Sequence, residues 1–311
     1  MDQQFVYFLG AGASCEAMPL VRDFPKGLED FQNCLRDHFK KYGTLTLDLD
    51  KSLSWLIEQS RSHQSIDTFA KKLFYKNDIE NLDILKAVLS CFFVHLQFTR
   101  PVDRRYDGFL ASILQKDKNN EVKIPKNIHI LTWNYDTQLE KALYGFCDNS
   151  EVVLSEIFGH NKITHLNGYC GTLLNNPREP SPDFTKTLKA MDSKEAIDYV
   201  IKLYEDFLYT GSFGANIKFA WESDINETIY KLRFRLEPAT VLTIIGYSFP
   251  FFNREMDRAI LDSMTKLEKV YIQAPSDFIS GIMERLIALR QDLRPEPRED
   301  TSSFFIPFEY G

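Results

Sequence analysis

The chain has 311 residues, 44% of them apolar and 14% aromatic, enough to bury a sizeable core in one large α/β domain or two smaller ones. A formal net charge of -7 and a pI near 5.5 exclude a broad electrostatic grip on nucleic-acid phosphates, so no direct nucleic-acid binding is expected. Met1-Asp2-Gln3-Gln4 lacks the basic flank of a signal peptide, and the longest uncharged apolar stretch, about 87–98, is too short to span a bilayer, so no membrane association is expected.

Phe5 to Leu9 reads as a buried parallel strand, because its apolar residues are contiguous instead of alternating. The stretch from Gly27 to Phe98 turns helical, with Leu28, Phe31, Leu35, His38 and Phe39 on one face and Leu82, Leu85, Leu89, Phe92, Phe93 and Leu96 at similar spacing. This predicts a helical insertion over about 27–114, and residues 115–127 read as a surface loop. Ile128 to Trp133 is the second strong strand and Tyr135 to Phe146 a helix; Val152 to Leu154 and Ile163 to Leu166 read as two shorter strands. A breaker-rich linker over 175–185 leads into helices at about 186–209 and 220–236, expected to form a second helical lobe. Thr240 to Ile245 and Lys269 to Ala274 return to strand, each followed by a helix, near 254–264 and 277–290. Strands separated by helices predict a Rossmann-like, doubly wound parallel sheet with helical insertions, occupying 1–292. Residues 293–311 read as a charged, proline-bearing tail with an apolar tip, Phe304-Phe305-Ile306-Pro307-Phe308, which either docks onto a neighbouring subunit or partner or packs onto its own sheet. No internal repeat is evident.

Three segments share one pattern, an apolar run that stops at a turn containing Gly or Asn and re-enters a helix. They are Gly10-Ala11-Gly12-Ala13-Ser14, Thr132-Trp133-Asn134-Tyr135-Asp136 and Gly246-Tyr247-Ser248-Phe249-Pro250. In a parallel sheet such turns gather along the carboxyl edge, where a nucleotide lies over helix N-termini. Gly10 and Gly12 suit a backbone that approaches a pyrophosphate, with the amides of Ala13 and Ser14 toward its oxygens. Residue 15 is Cys, so the full G-x-G-x-x-G fingerprint of dehydrogenases is absent. Glu29 and Asp30, some twenty positions on, read as solvated helix surface. Asp136, ahead of Thr137-Gln138-Leu139, reads first as a helix cap. Cys15, Cys34, Cys91, Cys147 and Cys170 are odd in number and scattered, without a C-x-x-C pair, which suits a reduced cytoplasmic setting.

Together with His165-Leu166-Asn167-Gly168 and with Pro19 after the first turn, these segments resemble the sirtuin-like family in order and approximate spacing. They are most similar to its bacterial NAD hydrolases of anti-phage defence. The motifs cover only about thirty residues, spread from residue 10 to residue 250. The resemblance implies that Gly10, Ala11, Gly12 and Ser14 hold the NAD phosphates, that Asn134 lines the nicotinamide-ribose pocket beside Asp136, and that Gly246 and Ser248 complete the cofactor site. Gln273, at the last strand's end, is expected to face the adenosine. Family members carry Leu-His-Gly where this chain has Leu166-Asn167-Gly168, so a strict alignment puts Asn167 in the catalytic slot. His165 shares a strand face with Asn167 and is expected to reach the same pocket, with His160 as a third candidate. The cysteines do not supply the four-Cys zinc module of protein-deacylating sirtuins, so no zinc is expected and hydrolysis is favoured over deacylation.

The expected activity is therefore NAD glycohydrolysis to nicotinamide and ADP-ribose, with NAD as substrate and Asn134 and His165 as catalytic residues. Cleavage passes through an oxocarbenium-like state, which asks for oxygen dipoles near C1′ and an oriented water. An NAD-depleting enzyme must be restrained, so the resemblance implies self-assembly into an oligomer or a regulatory partner, such as a HerA-type ATPase or an Argonaute-like protein. The alternatives are an NAD-dependent deacylase or ADP-ribosyltransferase, and a non-catalytic module that senses NAD or ADP-ribose.

Overall fold

The computed structural model describes residues 3–43, 47–173, 182–209 and 214–310. Strand β1 (Phe5–Leu9) runs into a short 3-10 turn at Ala11–Ser14, and five helices follow: α1 (Phe24–Tyr42), α2 (Leu47–Ser62), α3 (Ile66–Tyr75), α4 (Ile79–Thr99) and α5 (Arg104–Ile113). A small hairpin, β2 (Gln115–Lys116) with β3 (Val122–Lys123), precedes β4 (Ile128–Thr132), α6 (Gln138–Cys147), α7 (Ser150–Leu154) and β5 (Ile163–His165). Then come β6 (Gly168–Leu173), α8 (Pro182–Thr187), α9 (Ser193–Tyr209), β7 (Gly214–Ile217) and α10 (Ile225–Leu236). The chain closes with β8 (Val241–Ile245), α11 (Arg254–Ser263), β9 (Lys269–Gln273), α12 (Ser276–Leu289) and β10 (Pro295–Arg298).

Six strands form one parallel sheet in the order β10-β9-β8-β1-β4-β5. Numbered along the chain, that is the 3-2-1-4-5-6 order of dinucleotide-binding sheets, with the reversal of winding between β1 and β8. The expected Rossmann-like class is the observed one. Both faces of β1 are covered. Val6 and Phe8 pack with Leu232, Leu236, Ile260 and Leu286 on one side; Phe5, Tyr7 and Leu9 pack with Phe109, Ile113 and Leu143 on the other. A strand buried on both faces needs no polar alternation, which is why the apolar run is continuous.

The helical insertion is an independent layer of core. Phe31, Leu35, Leu53, Leu56, Leu73, Leu85 and Phe92 from α1 to α4 bury together with Ala196, Ile197, Val200 and Tyr204 of α9. Helix α4 is long and apolar enough to cross a membrane, but 72% of its apolar window is buried inside the fold, so it is a core helix.

Four expectations need correction. Helices α9 and α10 do not form a second lobe: α9 joins the core of the first insertion, and α10 lies on the sheet. Val152 to Leu154 is helical, because Asn149 accepts a hydrogen bond from the Glu151 amide at 2.9 Å and caps a turn that β-branched propensity alone disfavours. The stretch 115–127 carries a hairpin. The tail is not a free docking segment: Pro295–Arg298 is the edge strand of the sheet, paired in parallel with β9, and Phe304 is 5% exposed against Tyr106 and Phe109. Proline suits an edge strand, whose outer N–H groups have no partner to lose. The linker 175–185 falls mostly outside the described residues.

Candidate functional site

The registers align the strand ends: Leu9 lies beside Thr132 and Ile245, and Thr132 beside His165. The turns after β1, β4, β5 and β8 therefore leave the sheet at one level along its carboxyl edge. Two of them are fused across the switch point. The Gly12 amide donates to the Gly246 carbonyl at 2.9 Å, and the Gly10 amide to the Ile245 carbonyl at 3.1 Å. A Cβ on Gly12 would meet Gly246 Cα at 2.7 Å, and one on Gly246, whose φ is 62°, would meet the Ala13 amide nitrogen at 2.4 Å. The mutual approach of the two loops thus accounts for glycine at these positions.

Above this edge opens a cleft of about 570 Å³, within the range of ordinary small-molecule sites. The sheet contributes Ala11, Asn134, Asp136, Asn167, Gly246 and Ser248. The helical insertion supplies the opposite wall through Phe24, Asp67, Leu89 and Phe93, and Trp133, Tyr135, Phe219, Tyr247 and Phe252 make the lining strongly aromatic. No lysine or arginine lines it among the described residues. The insertion's part in the site carries no local motif, and sequence reasoning missed it.

Asn134 is fixed from three directions. Its amide nitrogen donates to Thr132 Oγ1 at 3.0 Å, its Nδ2 donates to Ser14 Oγ at 3.2 Å, and its carbonyl accepts from His165 Nδ1 at 3.2 Å. Ser14 in turn donates its one proton to Asp136 Oδ1 at 3.0 Å, so the Tyr106 hydroxyl, 3.1 Å away, donates to Ser14. Asp136 Oδ1 also accepts the Gln138 amide at 3.1 Å, an Asx-turn one residue ahead of Thr137, which takes the N-cap position of α6 where Asp136 was expected. Its second oxygen takes no hydrogen bond from any described residue, and the side chain lines the cleft. Burial raises the Asp136 pKa to about 6, against the hydrogen bonds from Gln138 and Ser14. Asp136 thus both braces the turn into α6 and is a carboxyl poised near neutrality.

Asn167 lines the cleft and is 5% exposed, and its Oδ1 is buried without a hydrogen-bond partner. The turn that brings it there depends on Gly168, at φ 70°, where a Cβ would fall 1.8 Å from the Asn216 carbonyl oxygen. Gly168 shapes the site without lining it, as do Gly10, Gly12 and Ser14.

His165 is placed differently from expectation. Its side chain is 5% exposed and does not line the cleft; it lies behind Asn134, with Nε2 at 2.7 Å from Glu140 Oε1. Both of its partners are acceptors, so each ring nitrogen carries a proton. Burial lowers its pKa, but the Glu140 charge and hydrogen bond, with the Asn134 carbonyl, outweigh that and hold it above the usual histidine value. With both ring nitrogens engaged, by Glu140 and by the Asn134 carbonyl, and with no place on the cleft wall, His165 positions Asn134 instead of meeting a water. His160 is exposed at the end of a π-helical turn and lines no part of the cleft. Gln273 does not face a ligand either: its Nε2 donates to the carbonyls of Asp300 and, at 2.7 Å, Ser303, and its Oε1 accepts the Phe305 amide at 2.9 Å. It ties the tail to the sheet.

All five cysteines are free, and among the described residues no group of three or more His, Cys, Asp or Glu is placed to hold a metal. No family model matches the chain, and no curated protein matches it significantly.

Proposed function

We propose that the cleft hydrolyses the N-ribosyl bond of NAD, releasing nicotinamide and ADP-ribose. The observation that carries this reading is the convergence of Asn134, Asn167 and Asp136 on one wall of a switch-point cleft, with the Asn167 Oδ1 unmet. The carbonyl oxygens of two carboxamides, that of Asn134 held through its Nδ2 by Ser14, suit a ribose whose C1′ gains positive charge as the C1′–N bond breaks. Aromatic walls with Asp67 and Asp136 suit the cationic nicotinamide ring. Without a cation in the lining, the pyrophosphate falls to loop amides other than those of Gly10, Gly12, Ala13 and Gly246, which already donate to backbone carbonyls.

The step balances simply. Nicotinamide leaves with the bonding pair as a neutral base, water oxygen bonds to C1′, and the water's proton passes to the free oxygen of Asp136. A carboxyl with a pKa near 6 is mostly ionised at pH 7 and basic enough to accept it. The resemblance to defence hydrolases extends the proposal to an NAD-depleting effector held in check by assembly or a partner.

A second reading, a module that binds NAD or ADP-ribose without turning it over, is favoured by the sealed state of His165. One experiment separates these readings and the deacylase: incubate purified protein with NAD, with and without an acylated peptide, and quantify nicotinamide and ADP-ribose. Release without peptide supports hydrolysis, peptide-dependent release supports deacylation, and binding without release supports the sensor.

A further inference from the structure

A second cavity, of about 500 Å³, lies in the helical insertion between α1, the carboxyl end of α4 and the start of α9. Its charges are unevenly satisfied. The carboxylates Asp30 and Asp37 are engaged by Lys26 and Lys40, at 2.8 and 2.9 Å. Asp198 holds His38 Nε2 at 2.8 Å and Lys194 at 3.6 Å. Lys41 and Arg100, both on the cavity wall, meet no carboxylate among the described residues. The Lys41 and Lys194 ammonium groups converge on one ring, 5.1 and 5.3 Å from the centre of Tyr42.

His95 completes the wall. It is 6% exposed and stacks on Phe31 with ring centres 4.7 Å apart, and its Nδ1 is buried with no hydrogen-bond partner. Burial, reinforced by the nearby Arg100 charge, lowers its pKa to about 4. The ring is therefore neutral at pH 7 and keeps one N–H to donate. The amides of Lys194 and Glu195 at the start of α9 are already taken by Asp192, so the helix end is not the attraction.

We infer that this cavity binds a phosphate monoester, its phosphoryl group between Arg100, Lys41 and His95 and its organic body against Phe31, Tyr42 and Leu96. Lys41, held only by the Tyr42 side chain, Arg100, without a carboxylate partner, and the neutral His95 ring ask for an anion with acceptors in several directions, which a tetrahedral phosphoryl group offers better than a planar carboxylate. The volume far exceeds a bare phosphate, and its aromatic side suits a ring. The inference stands apart from the reading of the first cleft, although α1 and α4 wall both cavities, through Phe24 and Phe93 in the first and through Phe31 and His95 in the second.

The test is calorimetric titration of the full chain with phenyl phosphate, and with benzoate at equal ionic strength. The expected result is saturable phenyl phosphate binding, weaker benzoate binding, and a Kd raised about tenfold or more by Lys41→Ala or Arg100→Ala, as loss of a charge-assisted contact implies. Both residues are exposed, so these variants are expected to fold. His95→Phe keeps the stack and loses the donor, and is expected to weaken binding as well. No heat of binding, tighter benzoate than phenyl phosphate, or wild-type affinity in the Lys41→Ala, Arg100→Ala double variant would overturn the inference.

Discussion

The buried pair behind Asn134 gives the sharpest test of how the site is built. Glu140 and His165 side chains are 1% and 5% exposed and 2.7 Å apart. Glu140→Ala strands the imidazolium, and removing one partner of a buried pair costs about 3–5 kcal/mol. Glu140→Gln is different: a neutral His165 keeps its Nδ1–H on the Asn134 carbonyl, and the new amide donates to the Nε2 lone pair. That loss should stay under about 1.5 kcal/mol. The sign of the pH dependence follows from the raised His165 pKa. The folded chain binds the proton more tightly than the unfolded one, so the pair's contribution is full below about pH 6.5, the unfolded histidine pKa. It then declines as pH rises toward the folded pKa, with a slope of up to about 1.4 kcal/mol per unit. Urea denaturation between pH 6.5 and 8.5 should show this decline in the wild type and not in Glu140→Gln. Equal losses in the Ala and Gln variants, or the same slope in the Gln variant, would refute an ionised pair.

Asp136, raised to about 6 by burial, disfavours its own ionisation. A rise of roughly two units is worth about 3 kcal/mol, present below the unfolded pKa and lost as pH climbs through 6. Asp136→Asn, which keeps the acceptor for Gln138, should therefore melt higher than wild type at pH 8 while releasing nicotinamide more slowly; a lower Tm at pH 8 would contradict this. Gly246→Ala should cost about 2–5 kcal/mol, from the left-handed backbone and the clash with Gly12 and Ala13. Gly43→Ala, at φ 76° with open space around it, should cost only about 1–2 kcal/mol in the same denaturation assay. Phe304→Ala should destabilise by about 3–5 kcal/mol, and deletion of 303–311 should lower Tm without changing the mass in solution.

The sheet was legible because β1, β4, β8 and β9 are short, mainly apolar and β-branched or aromatic runs that stop at or just before Gly, Asn or Ala. Strand β10 was not, since Pro295-Glu296-Pro297 argues against any strand except an edge, and edge status is a property of the whole sheet. Asn134, Asp136 and Asn167 were found because turn residues at parallel strand ends converge by topology. His165 was expected beside Asn167 on a shared strand face, but β5 ends at His165, its partner Glu140 comes from α6, and nothing in the strand pattern announces that a buried carboxylate will claim the ring. Gln273 misled for the same reason: the tail returns over the strand end, taking both donors of its amide and giving a hydrogen bond to its oxygen. Where a site residue's partner is distant in sequence, type and spacing give position without protonation state.

The central claim is tested most directly by following NAD cleavage in water enriched in oxygen-18, with wild-type protein and a folded Asn134→Ala variant. The account predicts equal amounts of nicotinamide and ADP-ribose from the wild type, one solvent oxygen at C1′, and a rate about a hundredfold or more lower in the variant. No release above the blank, or wild-type turnover by Asn134→Ala, would contradict it.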